Sequence, residues 1–278
     1  MVNEKGILYL IPTPIGNMED LSERIIITLK EVDVIFCEDT RTTNILLNYL
    51  DVKKHLISNH KFNESKNITT IIEFLKDNKK VGIVSDRGTP IISDPGFILT
   101  KEVINAGFEV IALPGPTAFI PALISSGIKP QPFLFYGFLD SKKSQRKKEL
   151  DKLKFETSTL IFYEAPHRLE ETINDMKNIL GNNRKISISR EITKKYEKTY
   201  RGTLDSIIEN IDEIKGEFVI VVAGNKEIES YDEISLLDHI NIYMNQGMST
   251  MNAIKQVAKD RNMKKSDVYD VYQKENKK

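Results

Sequence analysis

Apolar and polar positions follow two alternating periods over the first 118 residues. Short apolar runs at 7–11, 32–37, 55–58, 81–85 and 108–113 have the length and β-branched content of buried strands. Between them, over 21–30, 43–50, 68–76 and 97–106, apolar residues recur at the three-to-four spacing of an amphipathic helix. Strand and helix in alternation predict a parallel sheet with crossover helices. A helix over 117–125 leads to Gly127, Pro130 and Pro132, which mark a hinge to a second unit. There, strands at 133–138, 159–163, 185–192, 198–201 and 218–222 mix with helices near 143–153, 167–180 and 204–211, and the strands near 190 and 200 are expected to pair antiparallel. After Asn225 an acidic connector runs into helical periodicities at 233–245, 250–260 and 266–275. The expected architecture is α/β, with one α/β domain over 1–118, a second over 119–225 and a small helical C-terminal tail over 226–278.

The most unusual local sequences sit where strands end. SDRGTPIISDPG (85–96) follows the fourth strand, TPIGN (13–17) the first and LPGPTA (113–118) the fifth. In open α/β sheets ligands collect outside the carboxyl ends of strands, and these loops hold their backbone stiff through Pro while Gly admits close approach. Three such loops on one sheet describe a ligand pocket. No G-x-G-x-x-G follows a strand and no G-x-x-x-x-G-K-[ST] is present, so the pocket is neither the usual dinucleotide site nor a phosphate loop.

Composition narrows the class. A chain of 278 residues, 40% hydrophobic and 29% charged, can bury the cores of two domains. It has no apolar run near 18 residues and no charged-then-apolar leader, which predicts a soluble protein with no membrane partner. Cys37 is the sole cysteine and lies in an apolar strand pattern, so thiolate metal sites and intrachain disulfides are out and a reducing cytoplasm is the expected location. With 40 basic and 40 acidic residues the net charge is zero, and any nucleic-acid binding must come from local patches.

Within the strand-end loops, Asp86 is placed to accept hydrogen bonds from a ligand, or to bond its own turn. Asp94 precedes Pro95 and Gly96 and reads equally as a helix N-cap or a ligand contact. In EDTR (38–41), Asp39 or Thr40 can cap the following helix while Arg41 can meet an anion. YEAPHR (163–168) places His167 and Arg168 in the first turn of a helix, where the macrodipole disfavours cations, and this points to a shared anion such as phosphate; pairing of Arg168 with Glu164 or Glu171 is the alternative. Lys142, Lys143, Arg146, Lys147, Lys148, Lys152 and Lys154 form a basic stretch that is either a solvated helix face or a nucleic-acid track. The four histidines lack metal-ligand spacing and no G-x-S-x-G elbow is present, so no metal site or serine hydrolase is expected.

Taken in order, TPIGN, EDTR, SDRGTPIISDPG, LPGPTA, YGFLDSKKSQR (136–146), YEAPHR, REITKKYE (190–197) and GEFVIVVAG (216–224) resemble the tetrapyrrole-methylase-like, class III S-adenosylmethionine-dependent methyltransferases. EDTR, YEAPHR and REITK resemble in particular the branch that 2′-O-methylates a cytidine of 16S rRNA in the small ribosomal subunit. The resemblance implies two α/β domains of the tetrapyrrole methylase type with the cofactor between them, and a homodimer. It implies cofactor contacts from Pro12, from Asp86, Gly88, Thr89, Ile91 and Asp94, from Thr117, Ala118 and Phe162, and from Glu217 and Phe218. Transfer to a ribose hydroxyl requires a proton acceptor, for which Glu164, His167, Asp39 and Glu191 are candidates. Arg41, Lys142, Lys143, Arg146, His167 and Arg168 are the expected RNA contacts. The chain departs from the family pattern at Arg87, where a small alanine is usual, and at Asp140, often a proline. A same-fold enzyme acting on a small molecule such as a tetrapyrrole, and a catalytically silent ribosome-binding protein, are the alternatives.

Overall fold

The computed structural model describes residues 6–60, 63–225 and 234–275, so the acidic connector at 226–233 and the first residue of the expected tail helix lie outside the described residues. The first sheet contains β1 (Ile7–Ile11), β2 (Val34–Cys37), β3 (His55–Ser58), β4 (Lys80–Val84) and β5 (Glu109–Ala112) in the order β3-β2-β4-β1-β5. Every neighbouring pair is parallel. Helices α1 (Glu23–Glu31), α2 (Thr40–Tyr49), α3 (Glu64–Lys76) and α4 (Phe97–Asn105) make the crossovers. Because strand side chains alternate faces, Ile35 and Cys37 join Ile11, Ile25, Leu29 and Leu46 in one core, and Leu8, Val34 and Phe36 join Ile71, Leu75, Leu99 and Val103 in the other. Both faces are covered, which is why these strands read as unbroken apolar runs. β2 starts two residues later than the periodicity predicts, since the Val32 N–H donates to the Thr28 carbonyl (3.0 Å) and closes α1.

After α5 (Phe119–Ser125), the second sheet runs β6-β7-β10-β8-β9, formed by β6 (Phe133–Phe138), β7 (Thr159–Glu164), β8 (Lys185–Arg190), β9 (Lys198–Thr203) and β10 (Phe218–Val222). β6 and β7 are parallel; the other neighbours, including β8 and β9, are antiparallel. Helices α6 (Lys143–Leu153) and α7 (Leu169–Leu180) cover the face carrying Leu160, Phe162, Ile188 and Ile220, while α5 lies over Ile161, Val219 and Val221. The helix expected over 204–211 is instead a turn ending in a 3-10 segment at Ile208–Asn210. There the Thr203 N–H donates to Ser206 Oγ (3.3 Å), a local bond that competes with helix formation. α8 (Leu236–Asn245), α9 (Thr250–Asp260) and α10 (Lys265–Glu275) pack around their own core of Ile240, Ile254, Val257 and Val268. Among the described residues no helix is long and apolar enough to cross a membrane.

Candidate functional site

β1 and β4 are adjacent and parallel, so the loops that leave their carboxyl ends lie side by side. They are laced together: Thr13 and Gly88 exchange both backbone hydrogen bonds (2.9 and 3.1 Å), Thr13 Oγ1 donates to the Ser85 carbonyl (3.1 Å) and Ser85 Oγ to that of Gly88 (2.9 Å). The loop after β5 joins through Thr89 Oγ1, which donates to the Pro116 carbonyl (2.9 Å). Two glycines permit this approach. Gly88 has φ +81° and Gly115 has its Cα so close to Pro12 that a Cβ there would fall 2.5 Å from the proline Cβ. Ile91 (φ +75°) and Ser93 (φ +68°) are held in the left-handed region, which costs a β-branched residue about 1–3 kcal/mol and marks a loop shaped for more than connection.

This loop cluster faces the second sheet across a cavity of about 350 Å³. Gly88, Thr89, Asp94, Thr117, Ala118, Glu217 and Phe218, all expected as cofactor contacts, line it, as does Glu164. Its apolar walls come from Ile15, Ile92, Phe138, Tyr163, Ile192 and Val219, which sequence reasoning missed because they are ordinary strand or loop apolar residues until two distant elements are brought together. Asp94 is not a helix cap: Gly96 (φ +126°) occupies that position before α4. Burial, reinforced by the nearby Glu38 and Asp86 carboxylates, pushes the Asp94 carboxyl up to about 6.

Other expected contacts lie elsewhere. Phe162 is wholly buried in the core under α6 and α7, on the strand face opposite Ile161 and hence away from α5. Pro12 is buried beneath the 113–118 loop, and Ile91 packs against Gly96. Asp86 borders a second cavity of about 480 Å³ and accepts the Asp39 N–H (3.0 Å). That cavity also receives Thr13, Met18, Thr42, Ile45, Glu191 and Lys194, and Arg87 lines both.

The expected proton acceptors are mostly engaged. Asp39 caps α2 by accepting the Arg41 N–H (2.8 Å), and the Arg41 guanidinium 2.6 Å away holds its carboxyl down at about 2. Glu164 is 1% exposed, accepting Thr172 Oγ1 (2.6 Å) and the Ala165 N–H (2.8 Å). Burial alone would raise Glu191, but Lys194 Nζ (2.9 Å) and the Glu217 N–H (2.9 Å) outweigh it and its pKa is lowered. His167 is exposed on the 3-10 turn Pro166–Arg168, outside both cavities.

The expected RNA contacts divide. Arg146 is 0% exposed, so it is corrected to an internal role: Nε and Nη2 both donate to Asp175 Oδ2 (2.9 and 2.7 Å), which is itself buried. Arg168 is likewise turned inward. α7 begins only at Leu169, and the guanidinium fastens the loop after β6 by donating to the Leu139 and Asp140 carbonyls (2.8 and 3.1 Å), with Nε 3.3 Å from Glu164. Lys142, Lys143, Lys148 and Lys152 stay exposed on or beside α6, and Arg41 is 89% exposed though paired with Asp39.

Residues 7–208 match the family model for tetrapyrrole (corrin/porphyrin) methylases, which is more than half of the chain. The chain belongs to the tetrapyrrole methylase family. Proteins named Ribosomal RNA small subunit methyltransferase I are 47% identical in Bacillus subtilis (97% of this chain, 95% of the relative) and 45% identical in Halalkalibacterium halodurans (98% and 96%). Among solved structures, the methyltransferase CobJ superposes with a TM-score of 0.56 at 18% identity, covering 79% of this chain and 93% of its own. A uroporphyrin-III-C-methyltransferase from Thermus thermophilus gives 0.55 at 15%, covering 78% and 92%. At that identity the structural likeness establishes the fold alone. Within the fold, the first cavity suits a nucleoside cofactor: apolar walls for a base, with Thr89, Thr117 and the carboxylates of Asp94, Glu164 and Glu217 among its lining.

Proposed function

We propose that this protein transfers a methyl group from S-adenosylmethionine to the ribose 2′-oxygen of a cytidine in 16S rRNA of the small ribosomal subunit. The observation that carries this reading is the near-full-length similarity, up to 47% identity, to relatives named as small-subunit rRNA methyltransferases. S-adenosylmethionine brings a methyl group already activated on a sulfonium, so the chain has to hold, align and dehydrate rather than create reactivity. Ile15, Ile92, Tyr163 and Val219 would hold the cofactor's apolar parts, Thr89 and Thr117 its hydroxyls and amines.

A ribose hydroxyl needs to lose its proton near neutral pH. With Asp39, Glu164 and Glu191 held by their own partners, Asp94 is the carboxylate at the cavity best matched to that task, since a base works best with a pKa near the operating pH. Lys142, Lys143, Lys148 and Lys152 supply the local positive face that a neutral protein needs for a polyanion. We also assign a homodimer, supported by large apolar side chains left exposed on α4 and α5, among them Phe97, Ile98 and Ile124.

The test is methyl transfer from labelled S-adenosylmethionine to purified small ribosomal subunits lacking the modification, read by nucleoside mass spectrometry. The expected product is 2′-O-methylcytidine. A different methylated nucleoside overturns the assigned acceptor, and absence of transfer by protein that binds the cofactor overturns the rRNA reading.

A further inference from the structure

The two cavities share one wall, and that wall is an ion cluster contributed by both sheets. Arg87, from the loop after β4, reaches across to Glu217 Oε1 at the start of β10. Lys194, from the loop after β8, donates to the other oxygen, Glu217 Oε2 (2.8 Å), and to Glu191 Oε1 (2.9 Å). Glu191 is also held by the Glu217 N–H (2.9 Å).

We propose that Arg87 and Lys194 form a receiving pair for an RNA backbone phosphate, and that the Glu217 carboxylate occupies it in the free protein. The inference rests on the RNA reading above and adds where the acceptor strand is gripped. Glu191 is anchored to backbone and remains Lys194's partner, whereas the Glu217 side chain presents one oxygen to each cation. A phosphodiester offers the same thing: a single negative charge carried on two free oxygens. Exchanging one for the other leaves the cluster of two cations and two anions neutral.

The exposures fit an exchange. Arg87 and Glu217 are 58% and 60% exposed, and pairs so open to water are held weakly, while Lys194 is only 20% exposed and stays in place as the fixed half of the grip. Asp86 and Glu191 border the second cavity and repel an anion deeper in it, so the phosphate belongs at the shared wall. A phosphate there places its ribose beside the first cavity, where the methyl group is delivered. Arg87 stands where the family resemblance predicts a small residue, so the grip is a property of this chain's own sequence.

Binding of the small ribosomal subunit, or of a 16S rRNA fragment, is measured against salt for the wild type and for Arg87→Ala, Glu217→Gln and the double variant, with cofactor affinity measured alongside by calorimetry. Arg87→Ala, compared with the wild type at saturating cofactor because Arg87 also lines the first cavity, is expected to weaken RNA binding and to lower the salt slope by about 0.7, the loss of one phosphate contact on a single strand. Glu217→Gln, which frees both cations, is expected to tighten RNA binding by about threefold to tenfold, and the double variant to lose that gain. An unchanged slope in Arg87→Ala, or weaker RNA binding in Glu217→Gln with cofactor binding intact, overturns the grip while leaving the RNA reading standing. Failure of the wild type to bind either RNA overturns both.

Discussion

The loop after β4 and the segment after β7 carry the same signal in sequence, a buried strand ending in charged residues, Pro and a helix, and both line the first cavity, yet their charged side chains are used in opposite ways. In the loop at 85–96, polar contacts run to other loops, two non-glycine residues are held at positive φ, and Gly88, Thr89 and Asp94 are left facing a cavity. In the segment at 163–168, Glu164 and Arg168 spend their polar groups on Thr172, Ala165 and the carbonyls of Leu139 and Asp140. Neighbouring α6 repeats this pattern through Arg146 and Asp175. Charge at a strand end therefore identifies a site only when the structure leaves it without an internal use.

The sharpest way to break this contrast is at α6. Arg146→Ala leaves the Asp175 carboxylate buried beside only Lys147 at 3.7 Å, and is expected to cost about 3–5 kcal/mol in chemical denaturation while cofactor affinity of the folded protein holds. A loss below about 1 kcal/mol would return Arg146 to the surface role expected from the basic run. Next is Gly88→Val. A β-branched residue at φ +81°, with its Cβ 3.1 Å from Ile15 Cγ2, costs about 1–3 kcal/mol of strain and displaces a cavity wall, so cofactor binding falls at least about tenfold by calorimetry. Undiminished binding would take the cofactor out of the first cavity.

The smallest effect concerns Asp94. Its pKa in the folded protein, about 6 against an ordinary 3.8, means the folded state holds the proton more tightly than the unfolded one. The wild type therefore loses stability as pH rises through that window and regains it as pH falls back below 3.8. Asp94→Asn is expected to melt about 2–4 °C higher at pH 7.5, about 1 kcal/mol once solvent screening in the open cavity is allowed for, with the gain vanishing at acid pH. A gain that persists at acid pH would assign the effect to packing rather than to charge.

The parallel sheet was legible because its strands are apolar on both faces and its helices carry one apolar stripe. The loops at 13–17, 85–96 and 113–118 were legible because Gly and Pro in such density have few uses other than a shaped turn. Arg146 and Arg168 misled because a long cation can fold inward onto a carboxylate contributed by another helix or strand, and linear spacing carries no information on that. Phe162 misled by parity: one position along a strand reverses the face, so Tyr163 meets the cavity while Phe162 meets the core.

What the sequence determined by itself is everything set by local period and local chemistry: the order of strands and helices, the stiff loops at strand ends, and the family they resemble. What only the tertiary structure decided is which charges are consumed internally and which face open space, the existence of a second cavity, and the bridge from Arg87 through Glu217 to Lys194 across 107 positions of chain. The physical reason is that electrostatic pairing depends on distance in space, and the 85–96 loop and the β8 and β10 ends come within bonding range only after both sheets have buried their cores and docked.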